Sequence, residues 1–355
     1  MAWLVYLRIG FGTLMVWETW RYLANGWVTR YYQQPSFFFT YWPFDVVRPW
    51  PGEWMTWHFL AMGLAAFFVA IGFCYRISAP ALFLLFTYVF LLDKARYLNH
   101  FYLVSLVAFV MTVLPAHRAF SVDALLHPRL RVATVPAWTL WLVRFQIGVP
   151  YFFAGLAKLN RDWLRGEPLR SWLAARTDVP LVGRFFTEEP VVWGMTYGAL
   201  LFDLAVVPLL LHPRTRRWAF ASALVFHLLN ARLFSIGIFP WMMILLTTLF
   251  FPPNWPRRLL DRLRGEHGPL LILGASAGFA VGTVADWHPS LVHGVVGAVG
   301  AAALIEDALR PRRRSMPGRP LRGTPSWVPG PLLVGWVALE LVPFSARVAR
   351  GAGWR

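Results

Sequence analysis

The sequence predicts an all-α fold, a polytopic integral membrane bundle of roughly nine to eleven segments at about 20 residues per span, some of them short or re-entrant. Three observations carry this. Of the 355 residues, 57% are hydrophobic. Only 14% are charged, where an average soluble domain has about 25%. The apolar residues, rich in Leu, Phe and Trp, are gathered into long runs. These lie near 3–23, 54–74, 79–94, 100–115, 137–158, 191–212, 217–231, 235–251, 269–286, 291–309 and 330–346.

Taken in order, the first run carries Arg8, Glu18 and Arg21 and has no small-residue cleavage site after it. It reads as a membrane helix and not as a removable leader. The second run ends at Gly72-Phe73-Cys74-Tyr75. Cys74 is the one cysteine, which excludes an internal disulfide and a cysteine metal site and suggests a packed core thiol. The pairs 79–94 with 100–115, and 217–231 with 235–251, are short for a full span. Tilted, broken or re-entrant helices would explain them, and irregular backbone at membrane depth requires a protein-lined or wet cavity. Phe37 to Trp42 is an aromatic stretch suited to an interfacial belt or a half-buried loop. We divide the chain into a core at 1–265 and further membrane helices at 266–355, with a basic Pro- and Gly-rich loop at 310–330.

The 34 Lys and Arg exceed the 17 Asp and Glu, for a net charge of +17. These charges fall mostly between apolar runs. Basic loops at His212–Arg217, Arg257–Arg264 and Arg310–Arg322, and more weakly His127–Arg131, are expected on the cytoplasmic side. The charge is therefore topological, no nucleic acid partner is expected, and the natural partner is a bilayer with anionic headgroups. Counting spans gives a multi-pass protein of the plasma membrane with a cytoplasmic N-terminus and an extracytoplasmic C-terminus.

Ionisable groups inside membrane segments are costly, so each is a candidate for function. Leu92 to His100 is a polar island holding Asp93, Asn99 and His100. It reads either as an interfacial loop, with Asp93 paired to Lys94 or Arg96, or as part of a site. His117 precedes Ser121-Val122-Asp123, which has the form of a capped helix start. Lys158 ends a strongly apolar helix. Lost hydration there favours the free amine that serves as a base, whereas snorkelling would leave a structural lysine. His227 and Asn230 are three apart and share a helix face, with Phe234 and Ser235 following. Asp203 stands alone in an apolar run and needs a partner, with Arg144, Lys158 and Arg232 as candidates. No phosphate-binding loop, zinc-protease helix or nucleophile elbow is present, and the remaining histidines have no metal-ligand spacing.

At these clusters the sequence resembles the vitamin K-dependent γ-carboxylases and their bacterial relatives with the shared transmembrane domain. The matching stretches keep their order over residues 1–260. They are Phe44–Pro49, Cys74–Ser78, Tyr88–Lys94 with Asn99-His100, His117 with Ser121–Asp123, Ala154-Gly155 with Lys158-Leu159 and Asp162-Trp163, Phe226-His227 with Asn230, Leu233–Gly237 and Trp255–Arg257. Later similarity is confined to Leu341–Ser345. The resemblance implies a quinol epoxidase and lyase. It would oxidise vitamin K hydroquinone, or a related menaquinol, with molecular oxygen. That oxidation would be coupled to proton removal from a peptidyl glutamate and addition of carbon dioxide. It maps the base onto Lys158 and an active-site histidine onto His117, with Asp93, Asn99, His100, His227, Asn230, Phe234 and Ser235 in supporting places. The polar residue before that histidine in the family is Ala116 here. Family carboxylases also continue into a large extracytoplasmic domain that recognises the substrate's propeptide, and the expectation here is a core without it.

Two expectations conflict. Basic-loop counting puts His117 toward the cytoplasm and Lys158 on the other side. The family pairing puts both in one site, which requires 100–115 to be re-entrant, and the family pairing is preferred. A non-catalytic quinone- or lipid-binding scaffold is the first alternative. A transporter is the second, although the inverted repeats common in transporters are not visible.

Overall fold

The computed structural model describes residues 1–179, 182–234 and 236–263. The helices expected beyond 265 and the loop at 310–330 lie outside the described residues. Among those described there are helices and turns and no strand. Twelve α-helices follow in order: α1 Ala2–Ala24, α2 Trp54–Ile71, α3 Tyr75–Leu91, α4 Asn99–Val113, α5 Val122–Leu126, α6 Ala137–Ala157, α7 Arg161–Leu164, α8 Glu167–Ala174, α9 Glu189–Leu211, α10 Arg216–Leu233, α11 Phe239–Thr247 and α12 Trp255–Leu263. Each apolar run before residue 260 falls on one of them. By length and composition α2, α6 and α9 are able to cross a membrane; α3, α4 and the segment Phe239–Phe250 are shorter apolar helices. The protein is an all-α membrane bundle.

Short connections turn the chain back between α2 and α3, between α3 and α4, and between α9 and α10. The helices α1 to α4 pack in sequence, α6, α9 and α10 form a second group, and α11 touches α1, α6 and α10. Close approach depends on small residues, as is usual where helices meet in lipid. A Cβ on Gly12 of α1 would stand 2.6 Å from the backbone nitrogen of Ala70 on α2. One on Gly155 of α6 would stand 2.5 Å from the Leu204 side chain on α9.

The two ends of the bundle differ. At the end where α1 begins, Arg8 is 1% exposed. Its guanidinium donates to the carbonyls of Ala70, Ala116, Ala119 and Phe120. This ties α1 to the end of α2 and to the turn after α4. Gly72 closes α2 with φ of 69° and lies so near Arg8 that a Cβ would meet its Nη1 at 2.6 Å. Ser121 caps α5, as its sequence predicts, by accepting from the Ala124 N–H at 3.0 Å. Asp123 accepts from the Cys74 and Tyr75 N–H groups at 2.7 and 2.9 Å, supplying the start of α3 with acceptors from across the turn. Cys74 is exposed, with φ of 44°, and is not the packed thiol expected. Its place is a reversal between two helices, which leaves its side chain outside the core.

Candidate functional site

At the other end, α6 finishes at Ala157 and Lys158 is its C-terminal cap. Lys158 Nζ donates to Asp203 Oδ2 of α9 at 2.5 Å and more loosely to the Ala154 carbonyl at 3.4 Å. The Trp163 ring faces the ammonium at 5.0 Å. Trp163 is itself fixed, because Asn160 caps α7 by accepting from the Trp163 N–H at 2.9 Å and the indole donates to the Thr196 carbonyl at 3.1 Å. The Lys158 side chain is 16% exposed and that of Asp203 4%. Of the three partners open to Asp203 from sequence, the fold selects Lys158. The reason is helix placement: Gly155 lets α6 and α9 approach one turn before Lys158.

Two turns earlier on the same face of α6 lies Tyr151, about 10 Å along the axis. It is buried, and its hydroxyl meets His227 Nε2 of α10 at 2.6 Å and Thr247 Oγ1 of α11 at 3.4 Å. His227 is 1% exposed, and its Nδ1 has no hydrogen-bond partner among the described residues. Rings enclose it. Phe202, the neighbour of Asp203, packs edge-on to Tyr151 with centroids 5.8 Å apart, and Phe239 packs edge-on to His227 at 5.9 Å. Phe239 also contacts His100 of α4 at 5.7 Å. A continuous polar and aromatic cluster therefore runs from His100 through Phe239, His227 and Tyr151 toward the Lys158–Asp203 pair.

Between α6 and α9 lies an open cleft of about 530 Å³. Its walls are apolar, with Phe145, Val149, Phe152 and Val207 among them; Asp203 belongs to its lining, and Arg144 lies further along. Arg144 is occupied by the carbonyls of Leu249, Phe250 and Phe251, so it serves the end of the α11 segment. A greasy cleft between two membrane-crossing helices, with the Asp203 carboxylate in its wall and Lys158 bonded behind it, fits an amphiphile with a polar head and a long apolar tail.

The remaining expected site residues take different places. Asp93 is a cap, accepting from the Ala95 and Phe39 N–H groups at 3.0 and 3.2 Å, in place of an ion pair with Lys94 or Arg96. Asn99 opens α4 at the Lys158 end of the bundle. Asn230 is half-buried one turn beyond His227. The Phe234 ring stands edge-on to Trp172 at 5.6 Å, over the small core of Leu169, Leu173 and Val192. Ser235 lies outside the described residues.

His117 is the correction. It is buried at the Arg8 end and stacks on Tyr75 at 5.5 Å. The next residue, Arg118, bonds through its carbonyl to the Val132 N–H at 3.1 Å, just before α6 starts. Lys158 follows the far end of that helix, whose 21 residues span about 31 Å. Helix α4 runs unbroken from Asn99 to Val113. The fold sets His117 and Lys158 at opposite ends of α6 and not in one pocket. Residues that sequence reasoning missed are Tyr151, Thr247 and Phe239. Only Tyr151 carried a legible signal, its spacing of two turns before Lys158.

Fold and site together define a polytopic α-helical membrane protein with a buried ion pair whose carboxylate lines an apolar cleft between two helices. The HTTM domain model matches residues 1–255, and the chain belongs to that family, the transmembrane domain of the vitamin K-dependent carboxylases. No solved structure matches the chain.

Proposed function

We propose that this chain is a membrane enzyme that oxygenates a lipid quinol, vitamin K hydroquinone or a related menaquinol, using molecular oxygen. The oxygenation would be coupled to carboxylation of a glutamate-bearing peptide by carbon dioxide. The observation that carries this reading is the Lys158 amine bonded to Asp203, whose carboxylate lines an apolar cleft between two membrane-crossing helices. When bound, the quinol supplies the electrons that reduce oxygen. The chain's own part is proton handling and exclusion of water. Lys158 Nζ accepts a hydroxyl proton from the ligand head. Trp163 and the carbonyl of Ala154 hold the amine in place. Phe152, Val149 and Val207 keep water from the tail side. His100, His227 and Asn230 support the head of the ligand from α4 and α10, Phe234 follows at the end of α10, and Asp93 and Asn99 shape the neighbouring turn. His117 takes no part at this end. We place the protein in the plasma membrane with its N-terminus in the cytoplasm, so that Lys158 lies toward the outer face.

One observation favours a second reading. The ion pair satisfies both of its charges, so it would also serve as a clamp between α6 and α9 in a non-catalytic quinone-binding protein. Two variants separate the readings. Lys158→Ala strands the Asp203 carboxylate, and breaking a buried pair costs about 3–5 kcal/mol. The double variant Lys158→Met/Asp203→Leu replaces both charges with apolar groups and recovers most of that stability. Quinol oxygenation is expected to vanish in both. Wild-type turnover in the stable double variant would remove Lys158 from catalysis and leave the clamp.

A further inference from the structure

Lys158 Nζ donates a hydrogen bond to Asp203 Oδ2 at 2.5 Å, and a base has to pass on the proton in that bond before it can take another. We propose that Asp203 is the proton acceptor that readies Lys158, so that the pair, and not the amine alone, is the basic unit of the site. The inference rests on the reading of Lys158 as base. Three features of the geometry support it. Among the described residues the ion-pair partner of Asp203 is Lys158. The carboxylate is the more buried of the two, with 4% exposure against 16%. Asp203 also lines the cleft, so a tail lying there displaces water from the carboxylate side.

The proton balance is simple. In the resting pair an Nζ–H bond of the ammonium points at Oδ2. As water leaves the cleft, two charges lose hydration that their mutual attraction replaces only in part, and a neutral amine beside a neutral acid gains ground. The Nζ–H bond breaks and an Oδ2–H bond forms. The freed nitrogen lone pair then takes the hydroxyl proton of the ligand head. One proton has moved from ligand to Lys158 and one from Lys158 to Asp203, with no electron transferred. Asp203 acts through Lys158 and is a positioning residue with a proton-holding role. It lies in the middle of an apolar helix because the acceptor must be dry to become neutral.

The test uses the full chain in lipid nanodiscs with vitamin K hydroquinone, without oxygen. Infrared difference spectra should show a protonated carboxyl band on addition of the hydroquinone. That band should shift when aspartate is labelled with carbon-13 and be absent in Asp203→Asn. Because it is read on the unsubstituted protein, it decides the matter even where the variant folds poorly. With oxygen, Asp203→Asn should lose about 100-fold or more in turnover with KM little changed, and Asp203→Glu should return to within about tenfold of the wild type. Absence of the band, or wild-type turnover in Asp203→Asn beside an inactive Lys158→Ala, overturns the relay and leaves Lys158 as base. Wild-type turnover in Lys158→Ala as well would bring down the reading on which the relay rests.

Discussion

His117 shows how a residue's neighbours decide its role. Its ring is buried on Tyr75, with Arg76, Arg118 and Arg8 near enough to oppose a second positive charge. Burial first, and those arginines after it, lower its pKa below the usual 6.5, although Asp123 acts the other way. The sign follows from proton counting. The unfolded chain binds the proton more readily than the folded one, so stability is greatest above the unfolded value and is lost as pH falls through the depressed folded value. Thermal melts of the protein in detergent between pH 7 and pH 5 should therefore fall, and His117→Phe should flatten that slope while leaving quinol turnover intact. A slope unchanged by the substitution would assign the acid sensitivity elsewhere. Lys158 was legible in sequence as a candidate because a lysine ending an apolar helix is conspicuous. Its partner was not, because three cations were open to Asp203 and only helix packing chooses among them.

At the level of elements, the contact between α6 and α9 does the organising. Glycine at 155 brings Leu204 and then Asp203 close enough to reach Lys158. Gly155→Leu would drive a branched side chain into Leu204, and overpacking of this kind costs about 1–3 kcal/mol. The expected result is a lower melting temperature together with loss of turnover, since the amine and the carboxylate would be pushed out of reach. Retained activity would show that the close approach of the helices is dispensable. The sequence marks the helices themselves well: the apolar runs before residue 260 all became helices. It left α4 open between a tilted, a broken and a re-entrant helix, and the structure makes it one short unbroken helix. Turns built around Arg8 and Asp93 shorten the apolar segment without breaking it.

For the whole molecule, the alternation of helices puts the basic loop His212–Arg217 and the start of α12 at the Arg8 end. The Lys158 end also carries arginines, but acids such as Asp162, Glu167 and Glu189 accompany them. Orientation is accordingly something to measure. Cys74 is the single cysteine, it is exposed, and it lies at the Arg8 end. With a cytoplasmic N-terminus, a membrane-impermeant maleimide should label it in inside-out vesicles and not in intact cells. The reverse pattern would turn the molecule over and place the Lys158 site on the cytoplasmic side.

Sequence alone determined the class of molecule, since runs of apolar residues of spanning length have few other soluble or folded solutions. It also determined which ionisable groups were out of place in those runs. Tertiary structure decided which of them meet. Residues 158 and 203 are 45 positions apart and residues 151 and 227 are 76 apart, and no local period brings such pairs together. Helix-to-helix contact does, through glycines that permit approach and rings that exclude water. It also keeps His117 and Lys158 apart, because a continuous helix of 21 residues separates whatever lies at its two ends.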